Sequence, residues 1–325
     1  MLRELLLQNR TKHPRYHGDL ANHLSMALCA QHALGASAER MAAFAKKYST
    51  MLDPMPTSGP AVEPQRWKDA LGHDEALYGL VQFFESDLRE RGREIALRDA
   101  LDVLTPSLCS AAFHCLIRTA FGVRFDDDAE IAHGLAYWAI TAETLGSLKK
   151  TGARELEVCA LLERIRSDDV LANASISGNS ISARMQQVSM LRGFAEVASA
   201  LAVDERTLDR LAREMLALFA STGNFTALHA VTATHALRVL LPYAKDRESL
   251  LRHHWQALAA AFISIGSPRA KEPLSSEVPT WNAISLRAIA SDDDHDAKLV
   301  FACHEEQSHR GNETYRFAAA LRVEE

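Results

Sequence analysis

No uncharged apolar run in the 325 residues approaches the roughly 18 that a membrane-crossing helix needs. The opening Met1-Leu-Arg-Glu-Leu-Leu-Leu-Gln is broken by Glu4 and lacks the apolar core and small-residue cleavage site of a secretory leader. Cysteine is sparse: five residues, an odd number, scattered at Cys29, Cys109, Cys115, Cys159 and Cys303. That argues against a disulfide framework and for reduced thiols in a cytoplasmic protein. A basic excess is missing too. Lysine and arginine total 36 against 42 acidic residues, a net charge of -6, so neither nucleic acid nor an anionic membrane is an expected partner. No Gly-x-Gly-x-x-Gly follows a strand pattern, and neither a P-loop nor a Gly-x-Ser-x-Gly elbow occurs. Nicotinamide or flavin chemistry would therefore need an unrecognised site or an outside reductase.

Strand-like alternation is scarce as well. Most apolar runs recur at i, i+3 and i+4, which predicts an all-α protein, read as one helical domain over 1–325. Asp19 is placed to cap a helix that Gly35 stops, and Ser37 opens the next, to about Met51. Further helices are expected at about 73–91, 107–121, 127–146, 152–165, 184–202 and 204–221. Others follow at about 224–241, 246–264, 280–290, 292–308 and 313–322. Proline-rich connectors cover 53–64 and 266–279, and the Ser/Asn/Gly-rich stretch 167–182 reads as a loop or lid.

Histidine is what the chain does have, in unusual places. The stretch Phe225-Thr-Ala-Leu-His229-Ala-Val-Thr-Ala-Thr-His235-Ala-Leu-Arg is an almost wholly apolar helix carrying two histidines six apart. His17 and His23 repeat that spacing among small residues, and His114 follows Phe113 in similar company. Each His helix precedes a turn and a second helix with aromatics, a rough internal repeat around one centre. A single buried histidine is ordinarily a hydrogen-bonded core residue. Five of them with few acidic neighbours are costly to bury without acceptors, and a metal would bind several neutral imidazoles at once. In a straight helix, residues six apart lie about 120° apart around the axis and about 9 Å along it. His229 and His235 could share one ion only across a helix break, and otherwise one of them is second-shell or faces substrate.

Three other features carry possible chemistry. In Asp292-Asp-Asp-His295-Asp-Ala-Lys298 the acids suit a helix start, and Lys298 is the odd charge entering an apolar stretch. It is either a surface lysine paired to Asp294 or a core lysine that is neutralised, paired or modified. Glu130-Ile-Ala-His133 and Glu306-Gln-Ser-His309 match the Glu-x-x-His element of di-iron bundles, without two further core glutamates to complete such a site. Tyr137, Trp138 and Trp255 are placed either to wall a flat pocket or simply to pack helices.

The blocks His13-Pro-Arg-Tyr-His17-Gly-Asp-Leu-Ala-Asn-His23, Phe113-His114-Cys-Leu-Ile-Arg118, Leu228-His229 to His235-Ala-Leu-Arg238 and His295-Asp-Ala-Lys298-Leu resemble the questin oxidase-like family. They occur in that family's order over nearly the whole chain. The resemblance implies an oxygenase acting with O2 on a small aromatic, anthraquinone-like polyketide, by Baeyer–Villiger-type oxidation or oxidative ring cleavage. It also implies a mononuclear non-heme Fe(II) held by His23, His114, His229 and His235 and by a carboxylated Lys298. His17 and His295 stand as outer or alternative ligands, and NADPH as an external reductant. The family often has a further histidine where this chain has Met26. The rival readings are a non-catalytic helical protein with internally bonded histidines or a structural metal, and a zinc-dependent hydrolase.

Overall fold

The structure, a computed structural model, describes residues 1–149, 154–270 and 277–324. It is all-α, as the periodicity predicts. Between short 3-10 turns the chain runs through α1 (Leu2–Asn9), α2 (Leu24–Ala33), α3 (Ala38–Ser49), α4 (Leu77–Arg91), α5 (Arg93–Leu104), α6 (His114–Arg124) and α7 (Asp128–Ile140). Then come α8 (Val158–Ser167), α9 (Asp169–Ala172), α10 (Ile181–Ser189), α11 (Phe194–Ala198) and α12 (Thr207–Thr222). The last are α13 (Phe225–Leu240), α14 (Arg247–Ser264), α15 (Trp281–Ala290), α16 (Asp294–Arg310) and α17 (Thr314–Glu324). Strand β1 (Arg15–Tyr16) pairs antiparallel with β2 (Leu20–Ala21), Arg15 opposite Ala21. Among the described residues no helix is long and apolar enough to cross a membrane.

Where the elements depart from expectation, the cause is local. The helix expected from Asp19 begins at Leu24, because Gly18, at φ 91°, turns residues 15–21 into a hairpin and leaves His23 as the N-cap. Helix α5 was not anticipated. Its polar residues obscure the buried stripe Ala96, Leu97, Ala100, Leu101 and Leu104, and Gly92 separates it from α4. The helix expected over 107–121 is interrupted by three consecutive left-handed residues, Ala111, Ala112 and Phe113, at φ 47°, 53° and 70°. Each such non-glycine residue costs about 1–2 kcal/mol, so packing must hold this turn in place. Gly193, at φ 94°, splits the expected 184–202 helix into α10 and α11. The expected helix at 152–165 begins at Val158, and its residues 152–153, like 271–276 of the second connector, lie outside the described residues.

A large apolar core includes the buried faces of α4 to α7 and α12 to α14, and a smaller one joins α2 and α3 around Leu24, Phe44 and Tyr48. Helices α6 and α7 cross at glycines. A Cβ on Gly134 would lie 2.6 Å from the Thr119 hydroxyl, and one on Gly122 2.6 Å from the Ile131 nitrogen. This crossing holds α6 against α7, while α13 also packs on α6, and α16 packs on both α13 and α2. Four helix starts from distant parts of the sequence thereby meet.

Two buried histidines away from that meeting point make acid stability a direct readout of the core. Burial pushes His254 down to about 3 and His133 down to about 4, the latter aided by Arg118. Both stay neutral in the fold but titrate near 6.5 once exposed. The unfolded chain therefore binds more protons between those values, and stability is full above about 6.5 and falls as pH drops towards 4. Urea unfolding is expected to show a loss of several kcal/mol between pH 7.5 and pH 5, on the order of 3 kcal/mol per histidine at the limit. A flat profile over that window would show that these rings are already solvated or protonated in the fold.

Candidate metal centre

Four imidazoles converge where α2, α6, α13 and α16 begin. The His23 ring stacks on His114 at 4.4 Å between centroids and meets His295 edge-on at 4.7 Å. His114 meets His229 at 4.9 Å, and His229 meets His295 at 5.3 Å. One donor nitrogen from each of His23, His114 and His295 lies within 4.8 Å of the other two.

The back edge of every ring is anchored. His229 Nδ1 donates to the Phe225 carbonyl at 2.8 Å, and His114 Nδ1 donates to the Ala111 carbonyl. His23 Nδ1 sits 2.5 Å from Asp294 Oδ1, and His295 Nδ1 lies 2.9 Å from Asp293 Oδ1 and 2.8 Å from Asp294 Oδ1. Carbonyl and carboxylate oxygens only accept, so each Nδ1 carries a hydrogen, and in the neutral ring Nε2 presents a lone pair. The left-handed turn at 111–113 has its use here, since it brings the Ala111 carbonyl back onto the ring that follows it.

The front edges have no such partners. Nε2 of His23 and of His295 are buried without a hydrogen bond among the described residues. Nε2 of His114 and of His229 face each other at 3.2 Å, two acceptors with no proton between them. That pair is repulsive unless a cation or a proton lies between. Nitrogens bound about 2.1 Å from a common ion are separated by about 3.0–3.4 Å at ordinary coordination angles. Protonation is opposed: burial and the neighbouring His23, His229 and Lys298 hold His114 well below its usual value, and burial and His295 do the same for His229. Burial, chiefly, pushes His23 down to about 4 against the pull of Asp294. Neutral imidazoles oriented by acceptors behind them are the arrangement of metal ligands and their outer shell. The donor set therefore fits a nitrogen-preferring transition metal such as iron, zinc, copper or nickel.

Lys298 is buried beside this group. Its Nζ lies 2.8 Å from His23 Nδ1 and 3.3 Å from Asp294 Oδ1. Burial pushes its amine down, with Asp294 opposing. Asp294 is the hub, touching His23, His295 and Lys298. Burial alone would raise its carboxyl, but His23 and Lys298 hold it well below the usual range.

The structure brings together His23, His114, His229, His295 and Lys298, and not His235 or His17. Helix α13 runs without a break from Phe225 to Leu240, so the discontinuity expected between His229 and His235 is absent. His235 instead turns to Glu306, 3.2 Å from its Nδ1, in a network with Arg238. His17, at φ 46°, sits exposed on the hairpin turn. Tyr137, Trp138 and Trp255 do not line the cavity and are core residues, with the Trp138 indole donating to the Ser107 carbonyl and that of Trp255 to the Val197 carbonyl. The Glu-x-x-His carboxylates are occupied by arginines: Glu130 by Arg10 and Arg118, and Glu306 by Arg238.

A cavity of about 590 Å³ opens over the imidazoles. His23, His114, His229 and His295 contribute to its wall, with Tyr16, Thr141, Glu143, Arg184 and Phe225 around them. The Phe225 ring, 48% exposed, lies 4.6 Å from His229 and 4.7 Å from His295. Residues 179–182, from the stretch expected to form a loop or lid, border the opening, although that stretch also contains α9. Sequence reasoning missed Asp294 as the organiser, and Glu143, Phe225 and Arg184 as wall residues. For Asp294 a signal existed, because it precedes Lys298 by one helical turn and directly adjoins His295. For the other three there was none.

A sequence model of the family described as Questin oxidase-like matches residues 20–303. The chain is also similar to a protein named Oxidoreductase AflY from Aspergillus parasiticus, 23% identical over 356 aligned positions that cover 92% of this chain and 71% of that one.

Proposed function

This chain belongs to the questin oxidase-like family, and on that footing we propose that it is an oxidoreductase, specifically a non-heme iron oxygenase acting on a flat aromatic, polyketide-like substrate. The observation that carries the reading is the pair of buried Nε2 atoms of His114 and His229 at 3.2 Å, both with Nδ1 already donating, on the wall of an open cavity. His23, His114, His229 and His295 would hold the metal, and Lys298 would add an oxygen ligand once carboxylated. Burial favours the neutral amine of Lys298, which is the nucleophilic form that adds to carbon dioxide, giving a carbamate and releasing one proton. When bound, ferrous iron would supply the activation of O2 that no side chain here can provide.

The chain's own residues do the rest. Tyr16 and Phe225 offer apolar faces against which a planar ring can lie beside the imidazoles. Asp294 and Asp293 keep the His23 and His295 rings in one tautomer and one orientation. Glu143, whose carboxyl is raised by burial, is the cavity group suited to exchange a proton with a substrate hydroxyl through its Oε atoms. Baeyer–Villiger insertion and oxidative ring cleavage would share this machinery, and their electron demand separates them. A monooxygenase needs an external reductant such as NADPH, whereas a ring-cleaving dioxygenase turns over without one.

The test is metal analysis of untagged protein after anaerobic loading with ferrous iron, followed by O2 consumption with a hydroxyanthraquinone. Stoichiometric iron and substrate-dependent O2 uptake are expected. Stoichiometric zinc that iron cannot displace would favour a hydrolase or a structural metal, and a chain that takes up no metal would end the oxygenase reading.

A further inference from the structure

We propose that Arg184 is the substrate anchor of the cavity and that the substrate it selects is an aromatic carrying an ionised oxygen, a phenolate or a carboxylate. This rests on reading the cavity above the imidazoles as the substrate site. Two arginines line that cavity, and they differ in how their charge is met. Arg15 is neutralised, with Nη2 2.5 Å from Asp74 Oδ2 and Nη1 3.8 Å from Asp19. Arg184 has no carboxylate within ion-pair distance among the described residues. Its Nη1 donates to the Gly178 carbonyl at 3.2 Å, and its Nη2 to the Thr226 hydroxyl at 3.3 Å.

Those two neutral acceptors fix the guanidinium without cancelling its charge. A guanidinium has five N–H donors in a rigid fork, so most remain available. The anchoring points are informative. Thr226 follows Phe225 at the start of α13, one turn before His229, so the cation is tied to the helix end that presents an imidazole. Gly178 lies over the stem of the same arginine, and a Cβ there would be 3.3 Å from Arg184 Cγ. A larger residue would crowd the contact. The partly buried fork is thus preset on the cavity wall, with its charge left for a ligand to satisfy. A ring bearing an ionised oxygen could lie beside the Phe225 face with that oxygen at the fork, and the charge-assisted bond would fix which ring carbon faces the imidazoles.

The test is equilibrium binding, followed by absorbance, to iron-loaded protein kept free of O2 so that nothing turns over. The probes are hydroxyanthraquinone held as its phenolate, anthraquinone carboxylate, and methoxyanthraquinone as the uncharged control. The native protein is expected to bind at least one of the two anions about tenfold or more tightly than the methoxy compound, in keeping with a hydrogen bond to a charged group. Arg184→Gln should remove that preference while leaving methoxy binding within about twofold, and Arg184→Lys should restore part of it. Which anion shows the preference tells phenolate from carboxylate. An anion preference that survives Arg184→Gln, an equal loss for all three probes, or no preference in the native protein would overturn the proposal. Iron is measured in the same samples. A protein without iron that still discriminates through Arg184 keeps the anion anchor and loses the oxygenase reading, and an iron-loaded protein indifferent to Arg184→Gln does the reverse.

Discussion

Replacing His229 with alanine is expected to leave the protein without bound metal, while the same change at His235 leaves its metal content unaltered. The two residues share one helix and similar burial, so the contrast isolates direction from environment. His229 presents Nε2 to His114 at 3.2 Å and keeps Nδ1 on the Phe225 carbonyl. His235 points to Glu306, further along α16 than His295. Loss of an outer-shell partner alone costs roughly 10–100-fold in metal affinity, and loss of a ligand should exceed that. His235→Ala should instead lower stability modestly, because Glu306 keeps Arg238 at 2.8 Å. The check is metal content per folded chain, with urea unfolding alongside. Equal metal loss in the two variants would return His235 to the ligand set and require a helix break that the structure lacks.

The second large effect concerns folding. Glu130→Ala is expected to cost about 3–5 kcal/mol of stability, the range for removing one member of a buried ion pair. Glu130 lies 3.2 Å from Arg118, which is 1% exposed, and 3.2 Å from Arg10. Arg118 Nη1 already lacks a partner among the described residues, so the change would strand an almost fully buried cation. Burial would raise the Glu130 carboxyl, but Arg118, His133 and Arg10 together hold it below its usual value. Its contribution is therefore present above the ordinary carboxylate range and is lost as pH falls through the lowered folded value. Denaturant titration of the folded variant measures the loss, and metal content should stay unchanged. A Glu130→Ala protein that keeps its stability but loses metal would revive the di-iron reading of Glu130 and His133.

The contrast between these residues explains what could be read before any coordinates. Helix periodicity is a local property, and it placed most elements within a few residues. The rarity of histidine on apolar helices was enough to nominate His17, His23, His114, His229 and His235 together, and the resemblance narrowed them to His23, His114, His229 and His235. What it could not resolve was orientation. His229 and His235 are equivalent in composition, and only what they meet along α16 separates them, His295 at its start for the first and Glu306 further along for the second. In sequence Lys298 reads as either surface or core, and Asp294, its expected surface partner, is its partner in the interior. The left-handed turn at 111–113 was invisible because Ala-Ala-Phe carries no turn signal. Its conformation is held by packing around α6 and not by the intrinsic preference of its residues.

Asp294 has one more consequence, which concerns time. It bonds His23 across 271 positions of sequence, and His295 and Lys298 sit on the same late helix. The first of the four clustered imidazoles to be synthesised thus waits for almost the last helix before its back edge finds an acceptor. Nothing that emerges earlier supplies that acceptor, so the cluster of rings is complete only once α16 has been made. A metal held there, as proposed, would close a loop spanning most of the polypeptide, and opening that loop would mean releasing it. On the proposed metal assignment, a chain truncated before α16 would lack His295, Lys298 and the acceptor behind His23.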